Sequence, residues 1–228
     1  MYKVETIEKH NAELLALINE MTDRINGGDN VSVSIQTGNV KIGHTHCVSL
    51  PAIIACENCS ECKFHCYGLK DALRFLAVRL ARAKNWALLM TNRSEYFRQI
   101  ADYISRRRAH KFFRWHVVGE IIDLDYFENM IAIAERFPDW KFWTYTKRYD
   151  IVNRFVADNG YIPENLIIMF SEWRGMVMDN PYGFPEFRVL FEGEQAPADA
   201  WLCPGCCDIC KAVNRGCVAG ETTYNGIH

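Results

Sequence analysis

The chain has 228 residues, ten of them cysteine, and a formal net charge of -2 at pH 7. That length suits one domain with small appendages, and a hydrophobic content of 49% is enough for a sizeable core. Near-neutral charge excludes a global attraction to nucleic acid or acidic membranes. No 18-residue apolar run predicts a transmembrane helix, and residues 1–11 lack the apolar stretch of a signal peptide. The expectation is a cytoplasmic protein with no membrane partner, whose reduced thiols bind metal or do redox chemistry.

Residues 4–26 carry Leu14, Leu15, Leu17, Ile18 and Met21 at helical spacing, and Gly27-Gly28 ends that helix. Residues 31–35 alternate like a strand. A turn at 37–39 could lead 40–42 back as a hairpin. Pro51 opens a cysteine loop. Residues 68–89 read as one long helix, with Leu69, Leu73, Leu76 and Leu80 on an apolar stripe widened by Ala72. Ser94 can cap a second helix that runs to about Arg108.

From residue 112 onward strands alternate with helices. Strands are expected at 112–118, 141–146, 165–170 and 186–191, and helices at 126–137 and 150–158. Such alternation predicts βαβ units and a parallel sheet. The expected fold is α/β: a parallel-sheet partial (βα) barrel with N-terminal helices and a cysteine-rich C-terminal segment. Its expected divisions are a helix over 1–30, a core over 31–200 with a cysteine loop at 56–66, and a metal-binding tail over 201–228. Ligands of parallel sheets sit at the strand carboxyl ends. Here those ends hold Gly119-Glu120, Thr146-Lys147 and Ser171-Glu172-Trp173.

Nine cysteines fall into two groups, and Cys47 alone stands apart as a small buried residue. Cys56-x2-Cys59-x2-Cys62-x3-Cys66 has the spacing of a bacterial ferredoxin run, in which two-residue spacers let a tight loop return successive thiolates to a [4Fe–4S] cubane. Tyr67 stands where the proline of that run would be. A zinc knuckle or buried free thiols are the alternatives, and His65 could add a ligand. Cys203, Cys206, Cys207, Cys210 and Cys217 form the second group, in a stretch too poor in apolar residues to order itself without metal. They could hold a second cluster, complete the first, or include a redox disulfide at Cys207 and Cys210. The expected metal ligands are therefore all nine clustered cysteines, with one or two [4Fe–4S] clusters, or zinc, as the cofactor.

Outside the cysteines, His116, Gly119, Glu120 and Lys147 are the candidate cofactor contacts, because Gly119 permits close approach to the backbone. His116 could equally be a half-buried core histidine, and Lys147 a solvated lysine. His44 and His46 could share a strand face and bind metal, or simply form a polar face. Arg106, Arg107, Arg108, His110, Lys111 and Arg114 form a basic run that suits a helix C-terminus, or a phosphate or nucleic-acid contact.

Several stretches together resemble the gene product 88-like family of cysteine-rich phage and plasmid proteins. They are residues 37–41, 49–52, 62–67, 114–120 and 145–147, the C-terminal cysteine run, and the closing His228. The family's central motif ends in Ser-Gly-Asp where this chain has Val118-Gly119-Glu120. The resemblance supports the cysteine sites and implies no activity. A more distant similarity is to radical S-adenosylmethionine (radical SAM) enzymes, which carry a cysteine loop after the first barrel strand and a Gly-Glu motif after the second. It implies that Glu120, or the backbone near it, meets the methionine part of S-adenosylmethionine. The C-x3-C-x2-C motif of that superfamily occurs here only at Cys203, Cys207 and Cys210, after the last strand. The functional expectation is an iron–sulfur protein, a radical-SAM-like enzyme with its clusters at the strand carboxyl ends, with a zinc-stabilised binding protein or an electron carrier with a redox partner as alternatives. Substrate and partner stay open.

Overall fold

The computed structural model describes residues 1–57 and 59–226. His228 therefore lies outside the described residues. Seven α-helices and eight strands are present among them: α1 (Val4–Asn26), β1 (Ile35–Gln36), β2 (His46–Val48), α2 (Tyr67–Arg74), α3 (Leu76–Thr91), α4 (Arg93–Ser105), β3 (Phe112–Trp115), α5 (Leu124–Arg136), β4 (Lys141–Thr146), α6 (Tyr149–Asn159), β5 (Leu166–Glu172), β6 (Glu186–Leu190), β7 (Trp201–Leu202), α7 (Cys207–Val213) and β8 (Thr223–Gly226). The chain divides into two compact units. The first comprises residues 1–35, 48–108 and 116–119; the second comprises 36–47, 109–115 and 120–228.

The first unit is helical. Leu14 and Ile18 of α1 bury against Ala83 of α3, with Leu17, Ile54 and Trp86 packed around them. The single helix expected over 68–89 is two, because Phe75 is extended (φ -126°, ψ 112°) and separates α2 from α3. The break frees the last carbonyls of α2, and Arg79 donates to that of Ala72 at 3.1 Å; Arg82 adds a bond to the Gly68 carbonyl at 2.7 Å. It also scatters the leucine stripe: Leu69 is buried, whereas Leu73, Leu76 and Leu80 are exposed. Asn92 caps α4 by accepting from the Glu95 N–H, in place of the expected Ser94, which donates to Asn92 instead.

Residues 31–34 alternate like a strand but are not one. Side-chain amides take the hydrogen bonds a partner strand would supply. Gln99 bonds the Val33 N–H and the Val31 carbonyl, and Asn85 bonds both backbone groups of Ser34. Buried segments 48–50 and 116–118 run side by side, with Leu50 N–H donating to the Val118 carbonyl at 2.8 Å. Gly119 (φ +105°) has no room for a side chain, since a Cβ there would lie 2.6 Å from that of Leu50. Its conformation is one that glycine adopts without strain.

The second unit carries the sheet, in the order β1-β2-β3-β4-β5-β6-β8-β7, and the pairings from β3 onward are parallel. The central strands β4 and β5 read Lys-Phe-Trp-Thr-Tyr-Thr and Leu-Ile-Ile-Met-Phe-Ser-Glu and are largely buried on both faces, as parallel strands covered by helices are. Asp123 caps α5 through the Tyr126 N–H, and Gly160 ends α6 in the left-handed region. The mixed α/β class and the parallel sheet thus match the expectation. No helix among the described residues is long and apolar enough to cross a membrane.

Candidate functional site

Cys56, Cys59, Cys62 and Cys66 form no disulfide and are half-buried in the first unit. Tight turns bring them round: the Cys59 N–H donates to the Cys56 carbonyl, and a 3-10 helix (Glu61–His65) follows directly. The Cys59 and Cys62 sulfurs lie 3.8 Å apart. Contact with Cys62, then burial, then the charges of Cys62, Cys56 and Cys66 push the Cys59 thiol far above its ordinary pKa. Cys66 precedes α2. Burial raises its pKa, while N–H donors from Leu69 and Gly68 and the positive charge of Arg82 act the other way. The four thiols therefore feel one another, and Cys59 and Cys66 resist ionisation unless a cation joins them.

Arg82 sits beneath this loop and is only 5% exposed. Among the described residues its one hydrogen bond runs to the Gly68 carbonyl, and its Nε has no partner. Among the described residues no carboxylate forms a salt bridge with it. Burial lowers its pKa; Asp71, Tyr67, Cys66 and Cys56 supply the negative charges that act against that. An unpaired buried cation costs several kcal/mol, roughly, so this arrangement calls for an anion. His10, 1% exposed, lies near Arg79 and Arg82, and neither ring nitrogen is bonded among the described residues. Burial, followed by the charge of Arg79, lowers its pKa and keeps it neutral.

At the strand ends of the second unit, Glu120 is buried. Its Oε1 accepts from Thr146 Oγ1 at 2.6 Å and from the Ile121 N–H at 2.7 Å; its Oε2 accepts from the Lys147 N–H at 2.8 Å. Desolvation raises its pKa and these donors lower it. Lys147 Nζ reaches Ser171 Oγ at 3.4 Å. The expected strand-end residues Glu120, Thr146, Lys147 and Ser171 do come together. Both carboxylate oxygens of Glu120, however, are engaged within the fold. His116 is buried with φ +55°, and belongs with Gly119 to the first unit.

The second thiol group is embedded in the second unit. Cys210 is buried in an apolar cluster with Trp143 and Val218, alongside Phe112, Tyr145, Ile167 and Trp201 of the sheet. Burial raises the pKa of Cys217, against hydrogen bonds with Thr223 and Tyr145. Burial lifts Cys207 to about 11, against the charge of Arg114, and the charges of Cys217, Cys210 and Cys203 add to the rise. Cys210 is raised by burial too; Trp201 acts against this, while Cys217, Cys203 and Cys206 reinforce it. The five thiols thus form one electrostatic group. Arg114 lies over the Tyr145 ring at 4.4 Å. Cys47 is fully buried, its Sγ bonded to Gln36 Oε1 at 3.4 Å.

The H-x-H pair does not share a face. His46 is buried in β2, whereas His44 precedes the strand with 72% of its side chain exposed and bonds Asp208. The basic run divides between tasks. Arg107 stacks on Tyr103, Lys111 pairs with Asp139, and Arg114 stacks on Tyr145. Arg106 and Arg107 line a groove with Asn30, Ser32, Gln99 and Tyr103.

Arg82 and Asp208 were not singled out from the sequence. Arg82 had a usable signal, since it shares a helical face with Asn85 and Leu89 at spacings of three and seven. Among the described residues no three His, Cys, Asp or Glu side chains are already arranged to enclose a metal ion.

Residues 19–202 match the gene product 88 family. The chain belongs to that family. The match spans the first cysteine group, Arg82, Glu120 and Tyr145, and ends just before Cys203. No curated protein and no solved structure matches the chain significantly.

Proposed function

We propose that this gene product 88 family member is a cysteine-ligated metalloprotein of a reducing, cytoplasmic compartment. Cys56, Cys59, Cys62 and Cys66 would hold an iron–sulfur centre, and Cys203, Cys206, Cys207, Cys210 and Cys217 would supply a second metal–thiolate site. The frame would be a partial (βα) barrel. The observation that carries this reading is Arg82, a buried guanidinium that lacks a salt bridge among the described residues and feels Asp71, Tyr67, Cys66 and Cys56 as its counter-charges. With neutral thiols only Asp71 at a distance offsets that charge; a metal–thiolate centre of net negative charge would balance it at closer quarters.

The donor set fits such a centre. All four residues of the first loop are thiols, they stand in a ferredoxin spacing, and the Cys66 sulfur is positioned to accept two backbone N–H groups. The loop would tighten as metal binds, since metal binding and local ordering are coupled. Bound there, an iron–sulfur centre supplies one-electron transfer. The chain's own part is to ligate it, to balance its charge with Arg82 and to shield it with α2 and α3. Glu120, which the radical-enzyme similarity would turn toward S-adenosylmethionine, is engaged in three internal hydrogen bonds. The proposal is therefore of a metal–thiolate protein, with S-adenosylmethionine binding left to the test.

One observation favours zinc as a second reading. Zn–S bonds of about 2.3 Å place two sulfurs of a tetrahedral site about 3.8 Å apart. Cys59 and Cys62 stand at 3.8 Å. Each thiolate of a cubane, by contrast, binds a different iron. Anaerobic purification, with iron, sulfide and zinc analysis and absorption spectra with and without S-adenosylmethionine, decides between them. Iron with sulfide supports the first reading and zinc alone the second. A chain that takes up neither metal after reconstitution removes both.

A further inference from the structure

Helix α7 begins at Cys207 and carries Cys210 one turn on. It is short, it starts without a side-chain cap, and it follows a segment rich in cysteine and glycine. The Asp208–Lys211 pair within it is too little to hold it still, because an isolated helix of two turns is unstable in water. Its support comes from more than 160 residues earlier in the chain.

That support is the turn at 38–45, within the same compact unit. The turn is built by its own residues. Asn39 Oδ1 accepts from the Lys41 and Ile42 N–H groups, and the Gly43 N–H returns to the Asn39 carbonyl. It meets α7 at three points. The Lys41 carbonyl accepts the Cys207 N–H at 2.8 Å, which satisfies the first backbone donor of the helix. Both oxygens of Asp208 accept the His44 N–H, at 3.1 and 3.2 Å, and Oδ2 also faces His44 Nδ1 at 3.0 Å. Lys211, one turn on, donates to the His44 carbonyl at 3.1 Å and to Thr45 Oγ1 at 2.9 Å, while pairing with Asp208.

Gly43 explains how the two can be so close. It is left-handed (φ +60°), and a Cβ there would fall 2.1 Å from the Asp208 carboxyl carbon. Any side chain at residue 43 would force Asp208 away.

We infer that the 38–45 turn is the positioning element of the second thiol group, acting through Gly43, Asp208 and Lys211 to hold Cys207 and Cys210 where a metal is ligated. The inference rests on the metal–thiolate reading above. Asp208 lies between two ligands yet touches the turn rather than a thiol, as outer-shell residues that orient metal ligands do. Removing such a residue costs about 10- to 100-fold in metal affinity.

The test uses the full chain with Cys59 and Cys62 both changed to Ser, so that only the second group binds. Cobalt(II) is titrated anaerobically and the thiolate charge-transfer band is followed. Gly43→Ala and Asp208→Ala are each expected to weaken binding by about 10- to 100-fold, and Asp208→Asn, which keeps one acceptor oxygen, by less. Alkylation of Cys207 and Cys210 in the metal-free chain is the parallel readout. Both variants should speed it at these two cysteines and leave Cys56 and Cys66 unchanged. Unaltered cobalt affinity and unaltered alkylation in Gly43→Ala and Asp208→Ala would overturn the inference. Faster alkylation with no cobalt band even in the parent would leave the clasp standing and remove the metal site it was argued to serve. Equal acceleration at all cysteines would mean general unfolding and count against it.

Discussion

The two thiol groups use the same ligand chemistry but are ordered in opposite ways. The first is made locally: four cysteines within eleven residues, turned by hydrogen bonds that span two or three positions. Its long-range element is a charge, Arg82, set beneath it. The second is made globally. Its thiols lie against the sheet beside Trp143 and Tyr145, and its helix is clasped by a turn from the other end of the chain. The comparison suggests different behaviour. A locally built loop with a buried counter-ion can exchange or change charge without disturbing much else. A group packed into the unit's core behaves as a structural site, and its loss is felt as unfolding.

Four changes would sharpen or break that contrast. The largest effect is expected from Cys210→Ser with Cys217→Ser. These variants put hydroxyls into an apolar cluster and remove ligands together, and should cost about 3–5 kcal/mol in urea unfolding of the metal-loaded chain. Cys62→Ala should cost less stability but remove the metal of the first loop; a variant that kept its full metal complement would show the ligands to be misplaced. Next comes Glu120→Ala, which strands three buried or half-buried donors. About 3 kcal/mol should be lost with metal content unchanged, and a loss of metal would tie the strand-end residues to a cofactor after all.

Arg82→Met has effects of opposite sign in the two states. The metal-free chain should become more stable by about 1–2 kcal/mol, because an unpaired buried charge is gone. The first group should bind metal about tenfold more weakly, measured by competition with a chelator. Equal behaviour in both states would mean that Arg82 answers some other charge.

The smallest effect is in pH. Burial raises Cys207 in the folded, metal-free chain from an ordinary 9.0 to about 11. The unfolded chain therefore ionises first, and stability present below pH 9 should fall as the pH rises from about 9 to 11. Thermal melts of metal-free protein should drop across that window, whereas metal-loaded protein, already thiolate, should not.

How much of this was legible in the sequence follows the same division. The first thiol run, the amphipathic α1 and the strand β4 could be read directly, since each depends on neighbours a few residues away. The helix break at Phe75 could not, because the leucine stripe continues through it; Arg79, from the next helix, bonds the Ala72 carbonyl that the break frees. Residues 31–34 have the pattern of a strand, but Gln99 and Asn85 replace its partner. The clasp on α7 was invisible for a similar reason. Asp208 reads as one polar residue inside a cysteine motif, and only folding places it against Gly43.

The central claim is that two separate thiol groups each hold metal. It is tested most directly by metal and acid-labile sulfide analysis of three anaerobically reconstituted chains: the parent, Cys59→Ser with Cys62→Ser, and Cys207→Ser with Cys210→Ser. The account predicts metal in all three, with each double variant losing only its own group's share. Total loss of metal from either double variant would mean one shared centre, and a parent without metal would contradict the account outright.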